Sequence, residues 1–599
     1  MKERIRKIFE KEIDGTGLAL FRISYSLILL GEILHMFYFR HLIFDKIPYL
    51  DKAEISFSFP ILIWAVSVFC LLIGFKTRFA SILNYLMGMI LVGNIASHEY
   101  HVFYTYMTVN FIMMFLPVSQ CLSVDRILMK LKYSNEKEEY VPSKKVSQLY
   151  YFLPLYLGIA LVYFDSVFIK FSASSWLQGL GMWMPASMPM MAHTNQSWLL
   201  NQKYVMMFLG YLTLIFEAIY IFVFYRKSWR LLCFFIGFMF HIGILVIFPI
   251  PFFALTVCAV YLLMIPVSYW QKLFSSKTTK EKTFIFYYSS DNLKHIRIKL
   301  LLEHYAGQNR IHFQNTLSAT DATYFETSSG KMIEGFDKYV QVFRLIWFLK
   351  PFVILLKIPF VGKVILKRLK RFVSTDFFGS NFSSGEVPKS NIVLKNIKFN
   401  FLYFVIVFFT VAQLIFITNS PVVNNFKSII GIKDTETNIA YMKQVNLIKK
   451  NTKFLFGLTS HPVFIDNVHY EGYNHIIAVV YVNKNGTEEW LPLIDKNGQP
   501  SYYNYGTNWR KYSFSTNGRY IKMHDLEEGI RDYTAFWAKN NGVDLTDATF
   551  VLKVKTIDTP MNWEKDFLNK QIDKKWVDGG QVKWKDQNYY PAILDIEKL

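Results

Sequence analysis

The sequence predicts a polytopic α-helical membrane protein with about nine spans, a cytoplasmic α/β insert and an outer, mostly-β C-terminal domain. Three observations predict this. Of the 599 residues 52% are AVILMFWYC, 18% are aromatic and only 19% are charged, and the apolar residues fall in long runs, as membrane spans require. Basic clusters occupy every second loop between those runs, which puts them all on one side. After residue 420 the pattern changes to period-two stretches separated by turn signals.

Met1 to Asp14 is basic and leads into a long apolar run with no small-residue cleavage site, so that first span is expected to stay as a signal anchor. Candidate spans cover roughly 17–37, 57–75, 79–96, 101–118, 147–168, 203–225, 230–249, 251–269 and 400–418. The seventh and eighth are divided only by FPIPFF, which allows one of them to be tilted or partly re-entrant. MKERIRK, FKTR (75–78), the 125–145 segment, YRKSWR (225–230) and WQKLFSSKTTKEK (270–282) all fall on one side if the amino terminus is cytoplasmic. The last span then runs outward and places everything after residue 420 on the outer face.

The same placement explains the net charge of +21: basic residues beside spans are retained at the cytoplasmic face by anionic lipid, so the expected partner is membrane lipid and not nucleic acid. The four cysteines, Cys70, Cys121, Cys233 and Cys258, lie in or near apolar segments without a CxxC pair, which argues against disulfides and thiolate metal sites.

Four regions follow: a transmembrane domain of about eight helices (1–275), a soluble cytoplasmic insert (281–390), a ninth span (399–419) and the outer domain (420–599). In the insert, TFIFYYS and RIHFQ read as strands around an amphipathic helix NLKHIRIKLLLEHYA. The following stretch, from DKYVQ to KRLKRF, reads as two amphipathic helices broken near Pro351 and Pro359. In the outer domain HIIAVVYV and ATFVLKVKTI read as strands, and LEEGIRDYTAFWAKNNG (526–542) as a helix ending at a C-cap glycine. His461, His469 and His475 lack the spacing and carboxylates of a metal set, and no Walker loop or dinucleotide fingerprint follows a strand.

Five ionisable residues sit inside or at the edge of the spans: Arg22, His101, Lys170, Glu217 and His241. Burying such a group in a bilayer costs roughly 3 kcal/mol on insertion scales, so each needs a partner, a water cavity or a function. Alone, each reads as structural; five in one bundle read as a polar internal site. Lys170, in SVFIKFSASSWLQG (166–179), follows some twenty mostly apolar residues, where a lysine ordinarily snorkels. A lysine acts as a base only when neutral, and its neighbours here supply few compensating carboxylates, since Asp165 faces elsewhere on a helix. Glu217 and His241 lie mid-span on neighbouring helices, where they could pair with each other. Arg22 is placed to brace a helix or to bind a lipid or quinone headgroup.

Taken in order, LALFRISYSLILLGEI (18–33), GFKTRFASILNYLMGMILVGNIASHEYHVFYTYM (74–107), LSVD (122–125), FIKFSASSWLQG (168–179) and FHIGIL (240–245) resemble the vitamin K-dependent gamma-carboxylases and their bacterial relatives, the HTTM-domain proteins. The resemblance covers about 15–270 and, more loosely, 455–560. It implies a reduced quinone, vitamin K hydroquinone-like, deprotonated by Lys170 with His101 positioning the quinol oxygen. Trp176, Gly179, His241, Glu217 and Arg22 would support that site, and no metal is implied. The stretch departs from the family in having Ile169 beside Lys170 and Ser-Ala-Ser-Ser before the tryptophan, which leaves base chemistry better supported than vitamin K or a glutamyl peptide. The insert resembles the DCC family of thioredoxin-like proteins, but its turn, Tyr288 to Leu293, has no cysteine; thiol exchange is therefore not expected there, and docking of a cytoplasmic partner is.

Two functions are compatible with these residues. One is a carboxylase-like enzyme of a bacterial inner membrane, acting on a quinol or other lipid-soluble substrate, with the periplasmic domain presenting a polypeptide or envelope substrate. The other is a non-catalytic scaffold or accessory subunit of an export or envelope-assembly system. A transporter fits less well, since no inverted repeat is visible.

Overall fold

In a computed structural model, the described residues are 2–95, 101–133, 140–274, 284–305, 311–346 without 319, 353–367 without 359 and 366, 392–431, 436–461, 472–516, 521–559 and 562–599. Five helices are long and apolar enough to cross a membrane: Thr16–Tyr38, Leu149–Lys170, Lys203–Val223, Arg230–Ile247 and Ile392–Ile417. The other four apolar stretches also form helices, but shorter or more polar ones: Ser58–Ile73, Thr77–Asn94, Val102–Met113 and Pro251–Met264. The break between Arg230–Ile247 and the helix that follows falls where Pro251 starts a new one.

The helices are apolar on the outside. Lys203–Val223 exposes Phe208, Ile215, Ile219 and Phe222, while Thr213, Glu217 and Tyr220 face inward. A water-soluble helix would show the reverse pattern. The bundle therefore presents its greasy face to its surroundings and gathers its polar groups inside, as expected in lipid.

Leu149–Leu155 contains Pro154, which has no N–H to donate, and the chain passes through one π turn at Tyr156–Ala160 before continuing as Leu161–Lys170. This extra residue in the helical ladder sets the direction in which Asp165, Ser166 and Lys170 point.

At the expected cytoplasmic end, three sequence features meet. Arg22, fully buried, donates to the Val118 and Leu122 carbonyls at 2.8 and 2.5 Å. Asp125 accepts from Lys76 N (2.7 Å), Thr77 N (2.9 Å) and Thr77 Oγ1 (2.8 Å), capping Thr77–Asn94 from the first turn of helix Val124–Tyr133. Gly74 makes this turn at φ +73°, and a Cβ there would lie 2.4 Å from Ser123. Arg22 is thus a helix brace, one of the two roles expected of it, and LSVD is a cap.

The insert holds a four-stranded sheet in the order Ile311–Asn315, Phe284–Tyr288, Tyr324–Thr327, Met332–Ile333. Its first pair is parallel and joined through helix Leu293–Tyr305; the other pairs are antiparallel, and helix Gly335–Leu345 follows. Ile296 and Leu300 pack on Ile127 and Leu131 of helix Val124–Tyr133, and Lys130 pairs with Glu303 at 3.3 Å. Pro351 and Pro359 lie outside the described residues; around them the described residues include helix Gly335–Leu345 and the short helix Val353–Lys357.

The C-terminal region carries a five-stranded antiparallel sheet in the order Asn588–Ile593, Val577–Lys585, Asp547–Asp558, Tyr473–Val482, Glu488–Trp490. The expected helix is present as Met523–Asn541, ending at Gly542. The region is not mostly β, however: helices Pro421–Ile429, Glu436–Phe456 and Thr507–Thr516 also belong to it and cover more residues than was expected. Nor does everything after residue 420 lie outside the bundle. The C-terminal end of Glu436–Phe456 packs against it, with Tyr85 donating to the Leu455 carbonyl (2.6 Å) and Thr108 to the Phe456 carbonyl (2.7 Å). Charges scattered through this helix break up the apolar run that would have announced it.

Asp125→Ala removes the cap and should lower stability by about 1–2 kcal/mol, and Gly74→Val should destabilise through both strain and overlap. Thermal unfolding of the purified chain in detergent checks both; an unchanged midpoint for Asp125→Ala would remove the capping role.

Candidate functional site

The last turn of Leu161–Lys170 brings Lys170 against Glu217 of Lys203–Val223. The Lys170 Nζ lies 2.5 Å from Oε1 and 2.7 Å from Oε2, and both side chains are almost wholly buried. Ser166, one turn earlier, hydrogen-bonds the same carboxylate. On its other side Nζ stands 4.6 Å from the Trp176 ring centroid, a cation–π contact in an apolar setting. The expectation of few carboxylates near this amine is therefore corrected: Glu217, 47 residues away in sequence, supplies one. The expected alternative, Glu217 paired with His241, is corrected with it.

The segment after Lys170 locks this contact. Trp176 is fully buried, and a Cβ on Gly181 would fall 2.1 Å from its ring. Gly179 takes φ +76°, and its carbonyl would be 2.2 Å from a Cβ on Gly210, so the turn lies directly on the Glu217 helix. Tyr211 Oη donates to the Leu177 carbonyl at 3.0 Å. The WLQG motif thus positions the amine and does not itself present a reactive group.

His241 lies beside this pair but bonds elsewhere. Its Nε2 is 2.8 Å from Tyr163 Oη, which is 2.9 Å from Tyr261 Oη. Tyr163, Ser166 and Lys170 share one face of their helix, so a polar track runs through the bundle from Tyr261 and His241 to Glu217.

His101 belongs to a different cluster. Its ring centroid is 6.0 Å from that of His461, whose backbone N–H donates to Asp165 Oδ2 at 2.7 Å, and Gln413 Nε2 reaches the Thr459 carbonyl at 3.4 Å. Asp165 points away from Lys170, as its five-residue offset implies, and takes the His461 cluster to the other side of the helix. The structure brings Lys170, Trp176, Gly179, Glu217 and His241 together; it leaves His101 with His461, and Arg22 at the Val118–Leu122 turn. Burial, with the nearby His101 and Lys449, pushes the His461 imidazole down to about 3. His475 Nδ1 pairs with Thr556 Oγ1 at 3.0 Å, and His469 lies outside the described residues. No group of three or more His, Cys, Asp or Glu suited to a metal is found among the described residues.

Sequence reasoning missed Glu32. It is fully buried in Thr16–Tyr38, and its Oε1 lies 3.4 Å from Thr507 Oγ1 of the C-terminal region. The signal was available, since an acid inside an apolar run demands an explanation.

Compared with known proteins, the chain matches no family model, no curated protein and no solved structure. Its class is therefore stated from its own geometry: a membrane-associated helical protein with a buried lysine–carboxylate pair.

Removing one partner of that pair leaves a buried charge alone, so Glu217→Leu or Lys170→Met should each cost about 3–5 kcal/mol, while the double variant recovers most of the loss. Denaturant titration of the four proteins measures the coupling. For His461, the folded chain resists protonation that the unfolded chain accepts below pH 6.5. Stability should therefore be unaffected above 6.5 and fall by about 1.4 kcal/mol per unit as the pH drops from there toward 3. His461→Gln should flatten that slope, and identical slopes for the two proteins would exclude it.

Proposed function

We propose that this chain is an integral membrane enzyme resembling the gamma-carboxylases, in which the Lys170–Glu217 pair is the base for a quinol or other lipid-soluble substrate. The observation that carries this reading is the buried amine held at 2.5 Å from a carboxylate inside a bundle whose exterior is apolar. In such surroundings ions are poorly solvated, and a proton shift along one hydrogen bond converts ammonium and carboxylate into amine and carboxylic acid. The neutral amine then takes a proton from the substrate hydroxyl, and the resulting ammonium remains beside the substrate anion. Trp176 excludes water and favours the cation. His101 has no part in this step; its expected role on the quinol oxygen gives way to the Tyr163–His241 track, which lies nearer the pair.

The proposal includes nine spans in a bacterial inner membrane, an amino terminus in the cytoplasm and a periplasmic C-terminal domain that presents a polypeptide or envelope substrate. The alternation of basic clusters supports that orientation. The insert's βαβ–ββα order supports a thioredoxin-like fold, and its cysteine-free turn, together with its packing on the bundle, supports a docking role.

A second reading is favoured by the same contact: an amine so fully engaged also clamps two helices, as a non-catalytic scaffold would need. Oxidation of an added quinol by the chain in nanodiscs of native lipid, with dissolved O₂ supplied as the two-electron acceptor that follows the deprotonation, separates the two. Lys170→Ala should lower the rate by ~100-fold or more, and Lys170→Arg should not rescue it, because arginine stays protonated. Full activity in Lys170→Arg would leave only the clamp.

A further inference from the structure

A second polar cluster lies where the C-terminal region meets the first span, and nothing in the Lys170 reading uses it. The turn before helix Thr507–Thr516 is seated on the bundle by Gly506 N donating to the Pro249 carbonyl at 2.8 Å. Its Thr507 hydroxyl approaches Glu32, whose carboxyl also hydrogen-bonds Tyr106. Glu32 is fully buried, has no cationic partner among the described residues, and its Oε2 has no hydrogen bond. Asn504 and Asn508 flank the same turn, are fully buried, and leave both amide atoms without partners. His35, one turn beyond Glu32, leaves both ring nitrogens unpaired. A Cβ on Gly506 would touch a Phe252 ring carbon at 3.9 Å, an ordinary contact, so the turn packs beside that ring without overlap.

Buried polar groups in folded proteins are almost always satisfied, and a buried acid without a counter-charge is the costliest exception. So many unmet groups around one turn describe a site shaped for something polar. Among the described residues Glu32 is the acid at this turn and has no counter-ion, which favours a cationic ligand. The amide N–H groups are donors and select an acceptor on the same ligand.

We propose that this junction binds a primary ammonium group carrying a neighbouring oxygen, the chemistry of an amino alcohol. The ammonium pairs with Glu32 and with the Asn504 and Asn508 carbonyl oxygens, and the amide N–H groups take the oxygen. Ethanolamine is the simplest such ligand, and it exists free or as a phospholipid headgroup at a membrane surface. The inference is independent of Lys170 chemistry and survives its failure.

The test uses the full chain in nanodiscs of phosphatidylcholine and phosphatidylglycerol, titrated with free ethanolamine at constant ionic strength and followed by thermal shift and calorimetry. A parallel set contains phosphatidylethanolamine. Saturable binding or stabilisation in either arm, weakened at least tenfold by Glu32→Gln and by Asn508→Leu, supports the site and identifies the source. If Glu32→Gln does not fold, Asn508→Leu and Thr507→Val carry the comparison. No response in either arm, an equal response to Na⁺ or K⁺, or variants that bind like the parent would overturn it.

Discussion

One constraint organises this molecule: a polar group inside an apolar bundle must meet another polar group there. Lipid offers no hydrogen bonds, so a buried donor or acceptor is stabilised chiefly by a partner brought from another part of the chain. Lys170 finds Glu217, His241 finds Tyr163, Arg22 finds two carbonyls, and Asp165 finds the backbone of a segment nearly 300 residues later. Each pairing joins elements far apart in sequence, and together they fix how the helices are rotated about their axes.

The pairings also explain the less regular parts of the fold. Apolar side chains alone would tolerate many helix rotations, since lipid and protein interior are equally greasy. The π turn at Tyr156–Ala160 rotates the end of its helix so that Ser166 and Lys170 face Glu217 while Asp165 faces the opposite side. The glycine contact between 179 and 210 brings two backbones close enough for the pair to close at 2.5 Å. Helix Glu436–Phe456 does for the other side what a loop could not: it carries Thr459 and His461 into the bundle, where they meet Gln413 and Asp165.

Much of the architecture was legible because its signals are local. Apolar run length marked the spans, turn residues marked the C-terminal strands, and Gly542 marked the end of a helix. The candidate site was legible as a set of residue types but not as an arrangement. Glu217 was assigned the wrong partner, because pairing depends on helix rotation, to which a single sequence is nearly blind. Glu32 was overlooked because one acid in a long apolar run leaves the span intact, and its partner Thr507 lies 475 residues away.

By itself the sequence determined that this chain buries apolar helices in a membrane-like setting, keeps its basic residues beside them and ends in a region that contains a β-sheet. Hydropathy and turn preference belong to neighbouring residues and need no fold to be read. Only the tertiary structure decided which charges are neutralised and by whom, because the free energy of a buried charge depends on atoms within a few ångströms, wherever in the chain they originate.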